Sequence, residues 1–185
     1  IATRHGNFAV KKGDKLAGTR IIPLVIEEEK MEAAKRAAAE ATGGCPILEL
    51  KPFLHKKAGI VTTGNEVFYG RIQDTFTPVI RGKLSEFDTE VIDHVTWNDD
   101  DTKVTASILD MIQKGADVVV CTGGMSVDPD DKTPLAIRNT GADIVSYGAP
   151  VLPGAMFLLA YYQVRDGENP RTVAIMGLPG CVMYA

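Results

Sequence analysis

Apolar runs alternate with amphipathic stretches through most of this 185-residue chain. Short apolar runs occupy 58–61, 90–95, 116–121, 144–146 and 172–176. Stretches with helical spacing lie between them: one ends near Phe87, one covers 102–114 and one begins at Thr133-Pro134. Strands that alternate with helices predict an α/β domain with a three-layer architecture, in which helices cover both faces of a mainly parallel sheet. Ligands of such sheets bind where the strands end.

The first 55 residues have a different pattern. Segments 8–10 and 18–26 have the composition of short strands around a polar turn, and 47–50 is a further apolar run. Residues 27–41 are strong helix formers that lead into Gly43-Gly44. We expect a small N-terminal β/α accessory segment over 1–55 and a main domain over 56–185. Because the chain starts without Met, we also expect it to derive from a longer protein with further domains, and the main domain to be truncated at its C-terminus.

Composition narrows the classes of partner. Asp and Glu number 24 and Lys and Arg 20, which gives a net charge of -4 and argues against binding to nucleic acid. The apolar runs are too short to cross a membrane. Cys45, Cys121 and Cys181 form no CxxC pair, so neither a disulfide framework nor a zinc site is expected. We therefore expect a cytoplasmic protein whose partners are small molecules or other proteins.

Three of the strand ends carry glycine loops. They read Thr63-Gly64-Asn65-Glu66, Thr122-Gly123-Gly124-Met125-Ser126 and Leu178-Pro179-Gly180. Glycine directly after a buried strand lets the backbone turn and expose N–H groups, which favours binding of an anion such as phosphate. Each loop alone is equally consistent with a tight turn that binds nothing. The Gly-Lys-Ser/Thr of a Walker loop and the Gly-x-Gly-x-x-Gly of a dinucleotide fold are absent from these loops.

Carboxylates are concentrated near the same strand ends: Glu66, Asp74, Asp99, Asp100 and Asp131. Helix capping explains some of them, and Asp100 or Asp101 stands directly before a predicted helix. Several carboxylates beside a phosphate would repel it unless a cation such as Mg²⁺ lies between them. This arrangement predicts metal-assisted phosphoryl or nucleotidyl transfer.

The run from Asp117 to Pro134, in which Thr-Gly-Gly is followed by Asp131-Lys132-Thr133-Pro134, resembles the molybdopterin-binding domain of molybdenum-cofactor biosynthesis proteins. The other glycine loops, Asp74 and the Asp99-Asp100 pair match the family's signature positions in the same order, over about 58–181. The resemblance implies a molybdopterin adenylyltransferase or a molybdopterin molybdenumtransferase. One branch of the family adenylylates the phosphate-bearing pterin with Mg-ATP, and another uses the adenylylated form for metal insertion.

The resemblance also implies roles for individual residues. Asp131, Asp100 and Asp99 would form the catalytic acidic cluster, with Asp131 and Asp100 as Mg²⁺ ligands. Gly123, Gly124 and Ser126 would cradle the phosphate, and Leu178-Pro179-Gly180 would form the opposite wall. The remaining ligand-binding positions would be Thr63, Gly64, Asn65, Glu66, Asp74, Thr122, Met125 and Thr133. The implied ligands are molybdopterin, Mg²⁺ and ATP or AMP, and the implied assembly is a homo-oligomer, because related domains commonly associate.

Two positions depart from the family pattern and support alternatives. Phe76 stands where the family often has Asn, and Cys181-Val182 stands where it often has Asn-Pro. One alternative is a module that binds or senses molybdopterin without chemistry, and the other is a nucleotide pyrophosphatase of the competence-damage type. We expect His94 to be a packed or surface strand residue rather than a catalytic base, Cys121 to be buried, and Cys181 to be unreactive.

Overall fold

The structure, a computed structural model, describes residues 2–20, 22–46, 48–128, 130–165 and 170–181. The chain divides into two compact units, Ile1–Lys51 and Pro52–Ala185. This division lies four residues before the boundary predicted after residue 55, which itself stays a prediction. Among the described helices, none has the length and apolarity that crossing a bilayer requires.

The first unit contains one short ribbon and one helix. Strand β1 (Ala2–Thr3) pairs antiparallel with β2 (Ala17–Gly18), and α1 (Glu28–Ala41) follows. The predicted helix is confirmed, with acidic residues in its first turn and positive φ angles at Gly43 and Gly44 just beyond it. The described residues of 8–10, 19–26 and 48–50 form no strand, whereas strands were predicted there; Ile21 and Ile47 lie outside the described residues. Asn7 and Gly13 both have positive φ and turn the chain between β1 and β2. The pairing of the two strands is confined to Ala2–Thr3 and Ala17–Gly18.

The second unit is built on a six-stranded sheet. Its elements in chain order are β3 (Lys56–Thr63), α2 (Asn65–Phe68), α3 (Phe76–Ser85), β4 (Thr89–Trp97), α4 (Asp101–Gln113), β5 (Val118–Thr122), α5 (Thr133–Asn139), β6 (Asp143–Tyr147), β7 (Leu158–Val164) and β8 (Arg171–Leu178). The strand order is β4-β3-β5-β8-β7-β6. The first four strands in that order are parallel, whereas β7 runs antiparallel to both of its neighbours. The predicted α/β fold is confirmed. Strand β7 was not among the predicted strands.

Helices cover both faces of this sheet, as predicted. In α4, Val104, Ile108, Met111 and Ile112 are buried at intervals of three or four residues, which places them on one apolar stripe. They pack with Val61 and Cys121 in the larger core. On the opposite face, Ile80 of α3 packs with Ile60 and Val120. Neighbouring residues of β3 and β5 thus enter different cores, because side chains alternate along a strand.

The pairing of β3 with β4 contains a bulge. Ala58 pairs with Val91, but the next residue, Gly59, pairs with Asp93, so Ile92 is an extra residue in β4. Val91 packs in the core on the α3 side, and Ile60, which belongs to that core, pairs with His94. An extra residue changes the face on which the following side chains lie. The bulge therefore places His94 on the α3 side of the sheet.

Candidate functional site

The three predicted loops begin at one edge of the sheet. Thr62 of β3 pairs with Thr122 of β5, and Thr122 pairs with Leu178 of β8, so the three residues form one row across neighbouring parallel strands. The glycine loops continue from the carboxyl ends of these strands. This edge is where ligands of parallel sheets bind.

The turn after β5 requires glycine at both positions. Gly123 has φ +85° and Gly124 has φ +53°, a region that favours glycine. A Cβ atom on Gly123 would collide with the carbonyl oxygen of Thr63, and one on Gly124 would lie 3.0 Å from Oγ1 of Thr133. The two glycines therefore allow β5 to turn tightly against the end of β3. Consecutive residues in such a conformation present their backbone N–H groups for an anion.

Buried hydroxyl groups fix this turn. Thr133 Oγ1 donates to the carbonyl oxygen of Gly123 at 2.8 Å and lies 3.0 Å from Thr63 Oγ1, and Thr63 Oγ1 also approaches the carbonyl oxygen of Thr122 at 3.4 Å. Thr63 and Thr133 are 5% and 1% exposed. Hydrogen bonds that link three elements in a buried position hold the turn rigidly. The first residue of α5 thus supports the glycine turn.

The loop that follows the turn closes on a carboxylate. Asp131 Oδ2 accepts hydrogen bonds from the backbone N of Ser126 at 2.6 Å and from its hydroxyl at 2.8 Å. Asp131 therefore orients Ser126, which we predicted as a phosphate contact. The side chain of Met125 is buried and packs against Gly177 of β8, where a Cβ atom would lie 2.6 Å from Met125 Cε. The side chain of Met125 therefore cannot reach a ligand, and only its backbone could contribute to binding.

Asp99 and Asp100 make different contacts. Asp99 Oδ2 accepts a hydrogen bond from Asn65 Nδ2 at 2.7 Å, which ties the loop after β3 to the loop after β4. Asp100 caps α4, because its Oδ1 accepts from the backbone N of Thr102 and of Lys103. Capping was the alternative that the sequence left open for Asp100, and its catalytic role stays a prediction.

The described residues contain no group of three or more His, Cys, Asp or Glu side chains that could hold a metal ion. Mg²⁺ often takes only one or two protein carboxylates and completes its shell with phosphate oxygens and water. Asp131 and Asp100 are the two carboxylates predicted for that role. The Mg²⁺ site stays a prediction that depends on a phosphate-bearing ligand.

Asp74 is engaged by the first turn of α3. Its carboxylate accepts from the backbone N of Phe76 at 2.9 Å, from the backbone N of Thr77 at 3.0 Å and from the hydroxyl of Thr77 at 2.5 Å. Burial by itself would raise the pKa of Asp74, but these donors and the nearby His94 outweigh it and lower the pKa. Asp74 is thus a charged cap of α3, and its predicted contact with the ligand stays a prediction.

His94 lies beside this cap, as a result of the bulge. Its Nε2 is 3.1 Å from the hydroxyl oxygens of Thr62 and of Thr77, and 3.9 Å from Asp74 Oδ2. Burial lowers the pKa of His94; Arg81 lowers it further, while Asp74 and Asp93 raise it. The sequence predicted a packed or surface histidine at this position, and these contacts were missed. The available signal was Thr62 itself, a polar residue that continues the apolar run of β3.

The lowered pKa of His94 predicts a pH-dependent stability. A histidine whose pKa is lower in the folded than in the unfolded chain contributes its full stability above 6.5, its ordinary pKa, and that contribution is lost as the pH falls below this value. We expect the free energy of unfolding to decline as the pH falls below about 6.5. His94→Gln is expected to have a flatter profile in urea titrations. An identical pH profile for the two proteins would contradict this assignment.

The third loop lies against α3. A Cβ atom on Gly180 would be 3.9 Å from the ring of Phe76, so the Leu178-Pro179-Gly180 turn passes close to the first residue of that helix. Cys181 Sγ accepts a hydrogen bond from the backbone N of Gly154 at 3.0 Å.

Cys121, near the end of β5, is fully buried, which confirms the expected burial. Burial raises the pKa of its thiol to about 12, so the thiol is inert.

The second unit is therefore an α/β domain with a hydroxyl-supported glycine turn at the carboxyl ends of its central strands. A family model described as a probable molybdopterin binding domain matches residues 59–185, and the chain belongs to this family. The family predicted from the Thr-Gly-Gly and Leu-Pro-Gly loops is thereby confirmed.

Solved structures and curated sequences agree with this assignment. The tungsten cofactor synthesizing protein MoaB from Pyrococcus furiosus is 26% identical with a TM-score of 0.57, over 70% of this chain and 84% of that protein. The protein CinA from Thermoplasma acidophilum shares the fold at 21% identity and a TM-score of 0.51, over 70% and 90%. A CinA-like protein of Mycobacterium tuberculosis is 34% identical over 90 residues, which are 48% of this chain and 21% of that protein. The chain thus spans about a fifth of the length of such curated relatives, and it is related to molybdenum-cofactor biosynthesis proteins.

Proposed function

We propose that this chain binds molybdopterin through the phosphate of the pterin, with Gly123-Gly124 as the phosphate cradle. The observation that carries the proposal is the close approach of Gly123 to the carbonyl of Thr63, which only a residue without Cβ allows. A glycine turn of this kind would present backbone N–H groups to the phosphate at the carboxyl ends of three parallel strands. Membership of the family supplies the identity of the ligand.

Neighbouring side chains give the cradle its shape. Ser126 lies next to the turn, and Asp131 orients it by accepting hydrogen bonds from both its hydroxyl and its backbone N–H. Asn65, held by Asp99, borders the cradle on the side of β3, where Gly64 donates its backbone N–H to the carbonyl of Trp97 at 3.1 Å. The Leu178-Pro179-Gly180 turn borders it on the side of β8. These three loops would bind the phosphate and the adjoining pterin ring between them.

The reaction that we propose for the bound pterin is adenylyl transfer or molybdate insertion, supported by the family and by the MoaB structures. Asp131 and Asp100 would hold Mg²⁺ together with phosphate oxygens, and the ion would supply charge neutralisation beside the phosphate. The contributions of the chain itself are to fix the phosphate by backbone donors and to orient Ser126. A second candidate is hydrolysis of a nucleotide diphosphate bond, favoured by the CinA-like relatives.

Gly124→Ala is expected to weaken the binding of inorganic pyrophosphate at least about tenfold, because the added Cβ lies against Thr133 Oγ1 and moves the turn. Titration calorimetry measures the effect. Gly141→Ala is the matched control: Gly141 has φ +83° and follows α5, and its Cβ would meet no atom within 4 Å. Equal affinities for Gly124→Ala and the unaltered chain would refute the cradle.

Turnover assays on the intact protein then separate the possible reactions. AMP transfer from Mg-ATP to molybdopterin supports adenylyl transfer, and molybdate-dependent release of AMP from the adenylylated pterin supports metal insertion. Hydrolysis of dinucleotides supports the second candidate. Pyrophosphate binding without any turnover supports a module that binds or senses the cofactor.

A further inference from the structure

A buried polar cluster lies between β3, β4 and α3, and the proposed binding of the ligand does not use it. We call it the α3 cluster: Thr62, Asp74, Thr77 and His94. Thr62 and Thr77 are 1% and 6% exposed, and their hydroxyl oxygens are 3.0 Å apart. The side chains of His94 and Asp74 are 24% and 18% exposed. Burial of the two hydroxyl groups is costly unless each has a partner, so their hydrogen bonds must be matched.

Matching the donors and acceptors assigns every proton in the α3 cluster. An ionised carboxylate cannot donate, so the 2.5 Å contact requires Thr77 to give its proton to Asp74. Since a hydroxyl has one proton, Thr62 must donate to Thr77. Both hydroxyl protons are then used, and His94 Nε2, 3.1 Å from each hydroxyl oxygen, must carry a proton of its own. The cluster is a one-way chain of donors from His94 to Asp74.

The geometry excludes a nucleophilic triad. In such a triad the carboxylate holds the imidazole and the imidazole holds the hydroxyl. Here the carboxylate contacts the hydroxyl of Thr77 at 2.5 Å and lies 3.9 Å from the imidazole, and both hydroxyls are buried. The hydrogen bonds of the α3 cluster instead connect β3, β4 and the start of α3.

Two members of the donor chain reach loops of the proposed site. Thr62, inside the chain, precedes Thr63, whose carbonyl abuts Gly123 and whose hydroxyl contacts Thr133. Asp74, at the acceptor end, fixes the backbone of Phe76, whose ring lies beside Gly180. The bulge at Ile92 is what brings His94 to the head of this chain.

We infer that His94 is a positioning residue of the proposed phosphate site: as a neutral imidazole protonated at Nε2, it holds the glycine turn and the Leu178-Pro179-Gly180 turn through Thr62, Thr77 and Asp74. This inference rests on the proposed function. The charged groups that face His94 are Asp74 before α3, Arg81 on α3 and Asp93 on its own strand, and Lys114 at the end of α4 pairs with Asp93 at 2.7 Å. From β3, the contact is the neutral Thr62.

The test compares His94→Gln with His94→Asn. The amide nitrogen of Gln reaches about as far as Nε2 of histidine, whereas that of Asn reaches only as far as Nδ1. We expect Gln to bind pyrophosphate within about twofold of the unaltered chain, and Asn to bind it about fivefold to tenfold more weakly. In nitrogen NMR spectra of the unaltered chain near neutral pH, His94 is expected to show a protonated Nε2 and an unprotonated Nδ1.

A proton on Nδ1 instead of Nε2, or equal affinities for the Gln and Asn variants, would overturn the inference. If the unaltered chain binds no pyrophosphate, the proposed function fails, and amide hydrogen exchange still decides the role of His94. In that case Phe76 and Thr77 are expected to exchange faster in His94→Asn than in His94→Gln. Equal exchange in the two variants would overturn the inference.

Discussion

Replacing Gly123 by alanine is expected to destabilise the fold by about 3 kcal/mol, because two penalties add at this position. A side chain at φ +85° strains the backbone, and the new Cβ collides with the carbonyl oxygen of Thr63, which is backbone and cannot rotate away. Relief of that collision requires the ends of β3 and β5 to separate. Urea denaturation of the purified chain measures the change.

Gly141→Ala again serves as the control, because Gly141 has nearly the same φ angle in open space. It is expected to cost only about 1 kcal/mol, which is the strain of the positive φ alone. Gly82, inside α3 and also in open space, provides the opposite control: alanine there favours the helix and is expected to stabilise it by about 0.5–1 kcal/mol. Equal losses at positions 123 and 141 would show that the approach of β5 to β3 is looser than described.

Two buried threonines at the same edge are expected to respond with opposite signs when valine replaces them. Thr133 Oγ1 contacts Thr63 Oγ1 and the carbonyl of Gly123, so Thr133→Val leaves buried groups unsatisfied and is expected to cost about 2 kcal/mol. Thr122 is 0% exposed, and its hydroxyl has no partner among the described residues. Thr122→Val keeps the shape of the side chain and removes an unpaired polar atom, so it is expected to stabilise the fold by about 1 kcal/mol.

Thermal unfolding of the two variants in the absence of ligand measures this contrast. Both substitutions exchange a hydroxyl for a methyl group at a buried site, so the change in side-chain volume is the same in the two variants. A loss of stability in Thr122→Val as large as that in Thr133→Val would contradict the hydrogen-bond assignment. It would show that the Thr122 hydroxyl has a partner in the folded chain.

Local patterns predicted most elements of the second unit. The Asp residues at the start of α4 and the Thr133-Pro134 pair that begins α5 mark helix starts, and the apolar run that ends at Cys121 marks a buried strand. Strand β7 was missed because Pro153 and Gly154 interrupt the apolar run that leads into Leu158–Val164. It pairs antiparallel with β6 and β8, the strands directly before and after it in the chain, whereas the alternation of strands and helices predicted only parallel neighbours.

The loops of the candidate site were predictable because glycine after a buried strand has a local meaning. The position of His94 was not, because it depends on one extra residue in the pairing of β4 with β3. The different roles of the carboxylates could not be predicted from the sequence either. Asp74, Asp100 and Asp131 occur in similar polar sequence, and only the structure shows that the first two cap helices while the third orients Ser126.

The position of β8 in the strand order has a consequence for synthesis. Residues 171–178 lie in the centre of the sheet, between β5 and β7, so the strand that completes the sheet is translated after all its neighbours. Until then β5 has an unpaired edge, and closing the gap joins segments more than fifty residues apart in sequence. During that interval the nascent domain exposes unpaired strand edges that can pair with other chains. Its folding depends on one segment that is translated last.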